Sequence, residues 1–386
     1  MTSTSLYGQS PRGQDEALSL LRASLRSRHV GHAYLFHGPA GVGKTRAALW
    51  LAAALLCESP TAECDACGVC ASCRSVQALR HPDLDVLVPL PTFRTEGRTE
   101  KQADEARTEA RAAVLRRMAT EPYFVPTYAR PTAHTVEDLA RAKRFLALTA
   151  DREGGAKVLI VKGAEAMTGP AAHAFLKILE EPQPGRVLIL GARQRRALLP
   201  TIASRCIPVR FRPLAPESIA AALAESRKIS KAGARLLAGV AQGSLGKALA
   251  LVDSPLDAVS KEAPGEAEFT RLRAAALELF VRPKGPGILR PLRQARLERD
   301  RARFLSAVGL AILYYRDVLR RRLLGDRATL VHEDLAREIA EDARRLTAPD
   351  VTRRVRILEE IAESVRSNVT VAYAVGSAQH RMALHV

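Results

Sequence analysis

Apolar positions along this chain follow two rhythms. In the first half, short apolar blocks alternate with longer stretches whose apolar residues recur every three or four positions. HAYLF (His32–Phe36), HPDLDVLVPL (His81–Leu90), Val158–Val161 and RVLILGA (Arg186–Ala192) predict buried strands. Between them lie helical patterns: residues 14–30 with Leu18, Leu20, Leu21 and Leu25 among charges, an Ala- and Leu-rich run through Leu56, Thr135–Leu148, and AAHAFLKILEEP ending at Pro182. Thr135 and Asp138 suit the first turn of the third of these. Strands alternating with helices predict an α/β fold with a parallel sheet covered on both faces. From Pro213 onward the pattern is helical only, with Phe304–Leu324 the longest run and a final helix around Ile357–Val365.

Those changes of rhythm predict a domain over 1–212, a small helical domain over 213–253, a linker over 254–267 and a helical domain over 268–386. Residues 93–131 break the alternation. They are rich in Glu, Arg, Thr and Ala, and read as a solvated helix and loop inserted between core elements. The start, MTSTSLYGQS, is polar, and no run of 18 apolar residues occurs. The expected protein is soluble and cytoplasmic, with no membrane partner. Lys and Arg total 59 against 41 acids, a formal charge of +18. That excess favours a polyanionic partner such as DNA, although heavy Arg usage also follows from a GC-rich genome.

GPAGVGKT, residues 38–45, is a complete phosphate-binding loop placed after a predicted strand and before a predicted helix. Gly38 and Gly43 free the backbone to turn. The N–H groups of Ala40, Gly41, Val42 and Gly43 can then face phosphate oxygens. Lys44 adds a point charge for the β/γ-phosphates, and Thr45 offers a hydroxyl to Mg²⁺. Such a chain needs an acid at the end of a second strand to hold the metal and support attack on the γ-phosphate. Here the strand runs into Lys162 and Gly163. Glu165, the nearest carboxylate, lies beyond the strand end, too far along the chain to be favoured as a substitute.

Five of the six cysteines fall within residues 57–73, in CESPTAECDACGVCASC. A disulfide framework would be spread along a secreted chain, so this cluster points to metal. Cys67, Cys70 and Cys73 are spaced C-x₂-C-x₂-C, and either Cys57 or Cys64 can close a tetrahedral set. Four thiolates leave no open position, which makes structural Zn²⁺ the expected ion, with an iron–sulfur cluster the rival. SRC, Ser204–Cys206, carries little alone; Arg205 by itself reads as a surface arginine.

These pieces occur together in one family. HAYLFHGPAGVGKT from His32, the cysteine module, HPDL at His81, LKILEEP at Leu176–Pro182, SRC at Ser204, GSLGKAL at Gly243 and YGQ at Tyr7–Gln9 make the sequence resemble the clamp-loader subunits of bacterial DNA polymerase III. The likeness covers roughly residues 5–253. It implies an AAA+ phosphate-loop module, a helical lid and a C-terminal oligomerising collar. In the family's gamma/tau motor branch the strand ends in Asp-Glu, where this chain has Lys162-Gly163. The motor's polar residue on the next strand falls at Ala192, and its lid arginine at Gly246. Losing all three while keeping SRC resembles the non-hydrolysing delta prime branch. That likeness implies a stator holding ATP with Mg²⁺ without cleaving it. It would work in a ring with gamma/tau and delta subunits, on a sliding clamp and primed DNA, with Arg205 reaching a neighbour's ATP. The family pattern assigns Cys57, Cys67, Cys70 and Cys73 as ligands, with one residue more than usual between the first two. The competing expectations are an active motor ATPase, against which Lys162-Gly163 and Ala192 argue, and a basic DNA-binding protein with a relic loop, against which SRC and the helical C-terminal block argue.

Overall fold

The computed structural model describes residues 11–91, 100–121, 123–126, 128, 131–152, 154–227, 229–253, 266–282, 289–298, 300–367 and 369–383. YGQ at 7–9 and nearly all of the expected linker lie outside these residues. The chain divides into two compact units, residues 1–218 with 243–246, and residues 219–242 with 247–386.

The first unit runs α1 (Asp15–Arg26), β1 (Ala33–His37), α2 (Lys44–Leu56), α3 (Ala71–Gln77), β2 (Leu84–Leu87), β3 (Leu90–Pro91), α4 (Glu100–Thr120), β4 (Thr132–Ala133), α5 (Val136–Ala147), β5 (Lys157–Lys162), α6 (Gly169–Glu180), β6 (Arg186–Ala192), α7 (Pro200–Ser204) and β7 (Ile207–Arg210). Five strands form one parallel sheet in the order β2-β5-β6-β1-β7. A parallel sheet needs helices on both faces, and the strand residues divide accordingly. Val158 and Ile160 of β5 pack with Phe36, Ala47, Trp50 and Leu51 on one side. Leu159 and Val161 pack with Leu139, Phe175 and Leu179 on the other. Helix α2 is buried on nearly every face, as an Ala/Leu helix with no polar stripe must be. Helix α5 opens as its sequence predicts: the Thr135 N–H donates to Asp138 Oδ2 at 3.0 Å.

Two features depart from the sequence expectation. Edge strand β7 was not anticipated, because it is four residues long, contains Pro208 and buries only Val209 among its members. The insertion is also less solvated than its composition suggests. Met118 of α4 is buried, and Ala110, Val114 and Leu115 pack against the α2 side of the core. Arg107 is ion-paired to Asp138 of α5, and Arg111 to Asp85 of β2. The antiparallel pair β3–β4 joins the two ends of the insertion, matching Leu90 to Ala133 and Pro91 to Thr132.

HPDL has a structural role. The Asp83 carboxylate accepts from the Asp151 N–H and from the Lys157 ammonium at 2.8 Å, with both side chains almost fully buried. His81 bonds Ser72 Oγ of α3 at 2.9 Å through Nε2, and its Nδ1 accepts the Asp83 N–H. The motif thereby anchors the cysteine module to the β2 edge of the sheet.

After α8 (Pro216–Ser226), which crosses the boundary between the units, the second unit contains α9 (Lys231–Ala241), α10 (Leu245–Asp253, whose first two residues belong to the first unit), α11 (Glu266–Phe280), α12 (Leu289–Gln294), α13 (Arg301–Leu324), α14 (Ala336–Arg345), α15 (Ala348–Arg366) and α16 (Val371–Ala383). Helix α13 is its axis, packing against α11, α14 and α15. Phe304, Val308, Ala311, Tyr314, Tyr315 and Val318 are buried along it. Buried polar contacts cross its core: Tyr314 Oη donates to Asp342 at 2.7 Å, Tyr315 Oη to the Phe280 carbonyl at 2.8 Å, and His332 Nδ1 lies 2.9 Å from Asp317. No described helix is long and apolar enough to cross a membrane.

Candidate functional site

Ligands of open parallel sheets bind beyond the carboxyl ends of the strands. At that edge β1 runs into the phosphate loop, and α2 begins at Lys44. Three glycines of the loop have left-handed backbones: φ is +149° at Gly38, +72° at Gly41 and +108° at Gly43. A Cβ at Gly38 would stand 2.1 Å from the Phe211 carbonyl oxygen, and one at Gly41 would stand 2.2 Å from Ser244 Oγ. The turn therefore demands glycine for both conformation and space. The first N–H groups of α2 have no partner within the helix and face the loop's hollow, which suits an anion. Lys44 Nζ donates to the carbonyls of Gly38 (2.6 Å) and Pro39 (2.5 Å). Burial lowers its pKa to about 8, opposed by Glu165 and assisted by Arg193. His37, at the end of β1, is lowered first by burial and then by Arg195, Arg210 and Lys44. The rim is thus cationic, and Ala40, Gly41, Val42, Gly43, Lys44 and Thr45 form a cradle that fits a polyphosphate.

Magnesium does not fit in the same way. Lys162 stands in register with Gly191 of β6, which pairs with Phe36 of β1. Its side chain therefore shares the α2 face of the sheet, where a metal-binding carboxylate would be needed. Lys162 is half-buried and its ammonium donates to the Phe124 carbonyl at 3.0 Å. Burial lowers its pKa to about 8, and the charge of Lys44 adds to the shift. The neighbouring positions are glycine and alanine, set close against the surrounding chain. Gly163 has φ +63°, and a Cβ there would meet Pro89 Cγ at 3.1 Å. Ala192 is buried, and its carbonyl accepts the Gly38 N–H at 3.2 Å. Gly246 donates its N–H to the Gly41 carbonyl at 3.0 Å, and a Cβ on it would meet the Tyr123 carbonyl oxygen at 2.8 Å. The turn Ala164–Ala166 brings Glu165 back toward the cleft, closer than its distance along the chain suggested. Its Oε1 accepts the Arg193 N–H at 3.3 Å.

Arg205 closes α7 and is exposed. Its guanidinium pairs with Glu180 at 2.8 Å and donates to the Thr201 carbonyl at 3.0 Å. Glu180 belongs to LKILEEP, so two of the sequence motifs meet at this arginine. The adjacent Cys206 is a packing residue, its thiol pushed up to about 11 by burial.

The cysteine module is self-contained. The Sγ atoms of Cys57, Cys67, Cys70 and Cys73 all lie within 4.8 Å of one another. Two of the separations are 4.0 Å (Cys57–Cys70) and 3.9 Å (Cys67–Cys73). Ligands about 2.3 Å from a tetrahedral zinc are separated by about 3.8 Å, so the donor set fits that ion. Backbone N–H groups of Cys67, Cys70 and Cys73 donate to the sulfurs of Cys57, Cys67 and Cys70 at 3.3–3.4 Å. Such donors favour thiolate, and those of Val69 and Cys70 lower the Cys67 thiol to about 6, whereas burial raises the thiols of Cys57 and Cys73. Cys64, in a left-handed turn at φ +64°, is not part of the group.

A phosphate loop after β1, the strand order β2-β5-β6-β1-β7 and a helical C-terminal unit define an AAA+ fold. The family described as "DNA polymerase III, delta subunit" matches residues 13–215. The Bacillus subtilis protein named DNA polymerase III subunit delta' is 28% identical over 362 residues, 93% of this chain and 92% of that one. The Pseudomonas aeruginosa delta' subunit is 38% identical over 182 residues, 47% of this chain and 43% of the other. The Mycobacterium tuberculosis gamma/tau subunit is 31% identical over 213 residues, 55% of this chain and 30% of the other. The chain belongs to the DNA polymerase III clamp-loader subunit family, on its delta prime branch.

Proposed function

We propose that this chain is the stator of a DNA polymerase III clamp loader: a ring member that hydrolyses no ATP itself and lends Arg205 to the ATP of a neighbouring motor subunit. The observation that carries the reading is the pairing of a cation with a missing acid. Lys162 fills the strand-end position, Gly163 has a left-handed backbone that disfavours a side chain, Gly246 leaves no room for one, and Arg205 stays exposed on its turn. Phosphoryl transfer spreads negative charge over oxygens, which a fixed guanidinium stabilises with paired hydrogen bonds. Lysine, a point charge, would replace it poorly. Glu180 holds the guanidinium ready without burying it.

The partners in this reading are gamma/tau and delta subunits, a sliding clamp and primed DNA, toward which the +18 charge is favourable. Residues 1–212 act as the AAA+ module, 213–253 as the lid and 268–386 as the collar. The four cysteines hold one structural Zn²⁺, which supplies a fixed tetrahedral knot and no chemistry. Residues 38–45 retain the cradle for a nucleotide that is not cleaved.

The test is reconstitution. Complexes assembled with wild-type or Arg205→Ala chain, at equal assembly, are compared for clamp loading and ATPase rate. Slower loading and a partial loss of ATPase are expected, because other motor sites keep their own arginines. Equal rates would reduce Arg205 to a surface residue. Separately, turnover by the isolated chain of about 1 s⁻¹ or more, abolished by Lys44→Ala, would make it a motor instead.

A further inference from the structure

The insertion does more than pack on the sheet. Beyond α4 the chain turns and passes over the phosphate-loop edge. Tyr123 is half-buried. Its ring reaches to 3.6 Å from the position of a Cβ on Gly43, beside Pro11, and the backbone of Arg12 hydrogen-bonds its hydroxyl. Its carbonyl oxygen lies against Gly246, with Val125 Cγ2 next to it. The following carbonyl, of Phe124, accepts from Lys162 Nζ at 3.0 Å. The Phe124 ring packs on the α2-side core, with the Arg117 guanidinium 4.2 Å from its centroid. Three consecutive residues thus touch the loop glycine Gly43, the lid-arginine position Gly246 and the metal-acid position Lys162. Those are the places a nucleoside triphosphate and its metal would have to meet in a working site.

We propose that Tyr123–Val125 is a built-in occupant of this cleft, so that the subunit's nucleotide site is closed by its own chain and opens only when Lys162 releases the Phe124 carbonyl. The inference rests on the reading of residues 38–45 as a phosphate cradle. Lys162 has a donor role here: where a motor's acid recruits a metal, this ammonium recruits a backbone carbonyl. Gly246 is the complement, since only a residue without a side chain lets the Tyr123 carbonyl lie beside the loop. Nucleotide and segment compete, and apparent affinity falls by the fraction of molecules left open.

The probe is N-methylanthraniloyl-ATP, titrated into the full chain with Mg²⁺ and again with EDTA. Wild type is expected to bind at least tenfold more weakly than Tyr123→Gly/Phe124→Gly, matching a segment that is docked in about nine molecules of ten. Lys162→Met gives an independent arm. It keeps the stem and removes the donor, and it should also tighten binding, although loss of a cation alone would weaken an anion's affinity. Adding Lys44→Ala to either opened variant should undo the gain. Amide exchange on wild type gives a third readout: saturating nucleotide should deprotect residues 123–125. Wild type binding as tightly as both opened variants would overturn the plug and leave the cradle intact. No binding by any variant would overturn the plug and the cradle together, with the Arg205 reading untouched.

Discussion

The cysteine module and the phosphate-loop site are both announced by dense sequence motifs, yet they end differently. The module's four sulfurs come from 17 consecutive residues, and the chain's own N–H groups organise them. Nothing remote is needed, so the motif and the geometry coincide. The phosphate site is assembled from β1, the end of β5, the end of β6, residues 243–246 and the insertion. Its local part, the loop, is intact. Its remote parts are an ammonium at 162, small residues at 163, 192 and 246, and a tyrosine across the mouth. A motif reports the segment that carries it, and a catalytic site is only as complete as its most distant contributor.

The largest expected effect sharpens the first half of that contrast. On the zinc reading, elemental analysis should find one zinc per wild-type chain, and Cys70→Ser should lose it and unfold residues 57–73, since structural zinc contributes about 10 kcal/mol or more at neutral pH. Full zinc occupancy in that variant would break the four-sulfur assignment. Next comes Arg205→Ala in the assembled ring. The neighbouring site should lose about 10³–10⁵ in rate, or roughly 4–7 kcal/mol of transition-state stabilisation, read by single-site turnover with the other motor sites inactivated.

Asp83→Ala tests whether the module depends on its anchor. It leaves Lys157 buried without its partner, and chemical denaturation should show a loss of about 3–5 kcal/mol while zinc content stays at one per chain. Loss of zinc together with stability would mean the module is not self-contained.

A smaller effect concerns pH. Burial holds Lys162 at about 8 in the folded chain, well below an ordinary lysine. Between that value and the ordinary one, the unfolded chain binds more protons than the folded one, so Lys162 makes stability rise with pH in this window. Lys162→Met should remove that rise. Its stability advantage over wild type should be greatest below pH 8 and fade toward pH 10, by an amount on the order of 1 kcal/mol or more. Parallel stability curves for the two proteins would contradict the burial argument. Smallest of all, Cys64→Ala should leave both zinc content and melting temperature unchanged.

What could be read from the sequence divides along the same line. Strands β1, β5 and β6 were legible because each buries both faces and so reads as an unbroken apolar run. The loop and the cysteines were legible because their chemistry fixes residue type and spacing. Strand β7 was hidden by its brevity and by Pro208. The packing of α4 was hidden because Ala110, Val114, Leu115 and Met118 make a sparse apolar edge on a helix otherwise full of charges. Asp83 and Lys157 sit 74 positions apart, and nothing local marks them as partners. Tyr123 follows a stretch with few large apolar residues, and the sequence does not single it out. Its place across the loop depends on tertiary contacts that no local pattern encodes.

On the stator reading, the crowding at Gly246 also sets the order in which motor-type residues could be introduced into this protein. Asp at 162, Glu at 163 and Arg at 246 are three letters on paper, but they are not three independent steps. An arginine introduced first at 246 would drive its Cβ into the Tyr123 carbonyl, 2.8 Å away, and toward Gly41 Cα, 3.0 Å away. A glutamate introduced first at 163 would inherit a left-handed backbone. Each substitution is penalised until the chain around it has moved: the one at 246 needs residues 123–125 to leave, and the one at 163 needs its own turn to change. On the stator reading, a motor-type site is therefore closed to single substitutions and open only to changes made together with the chain around them.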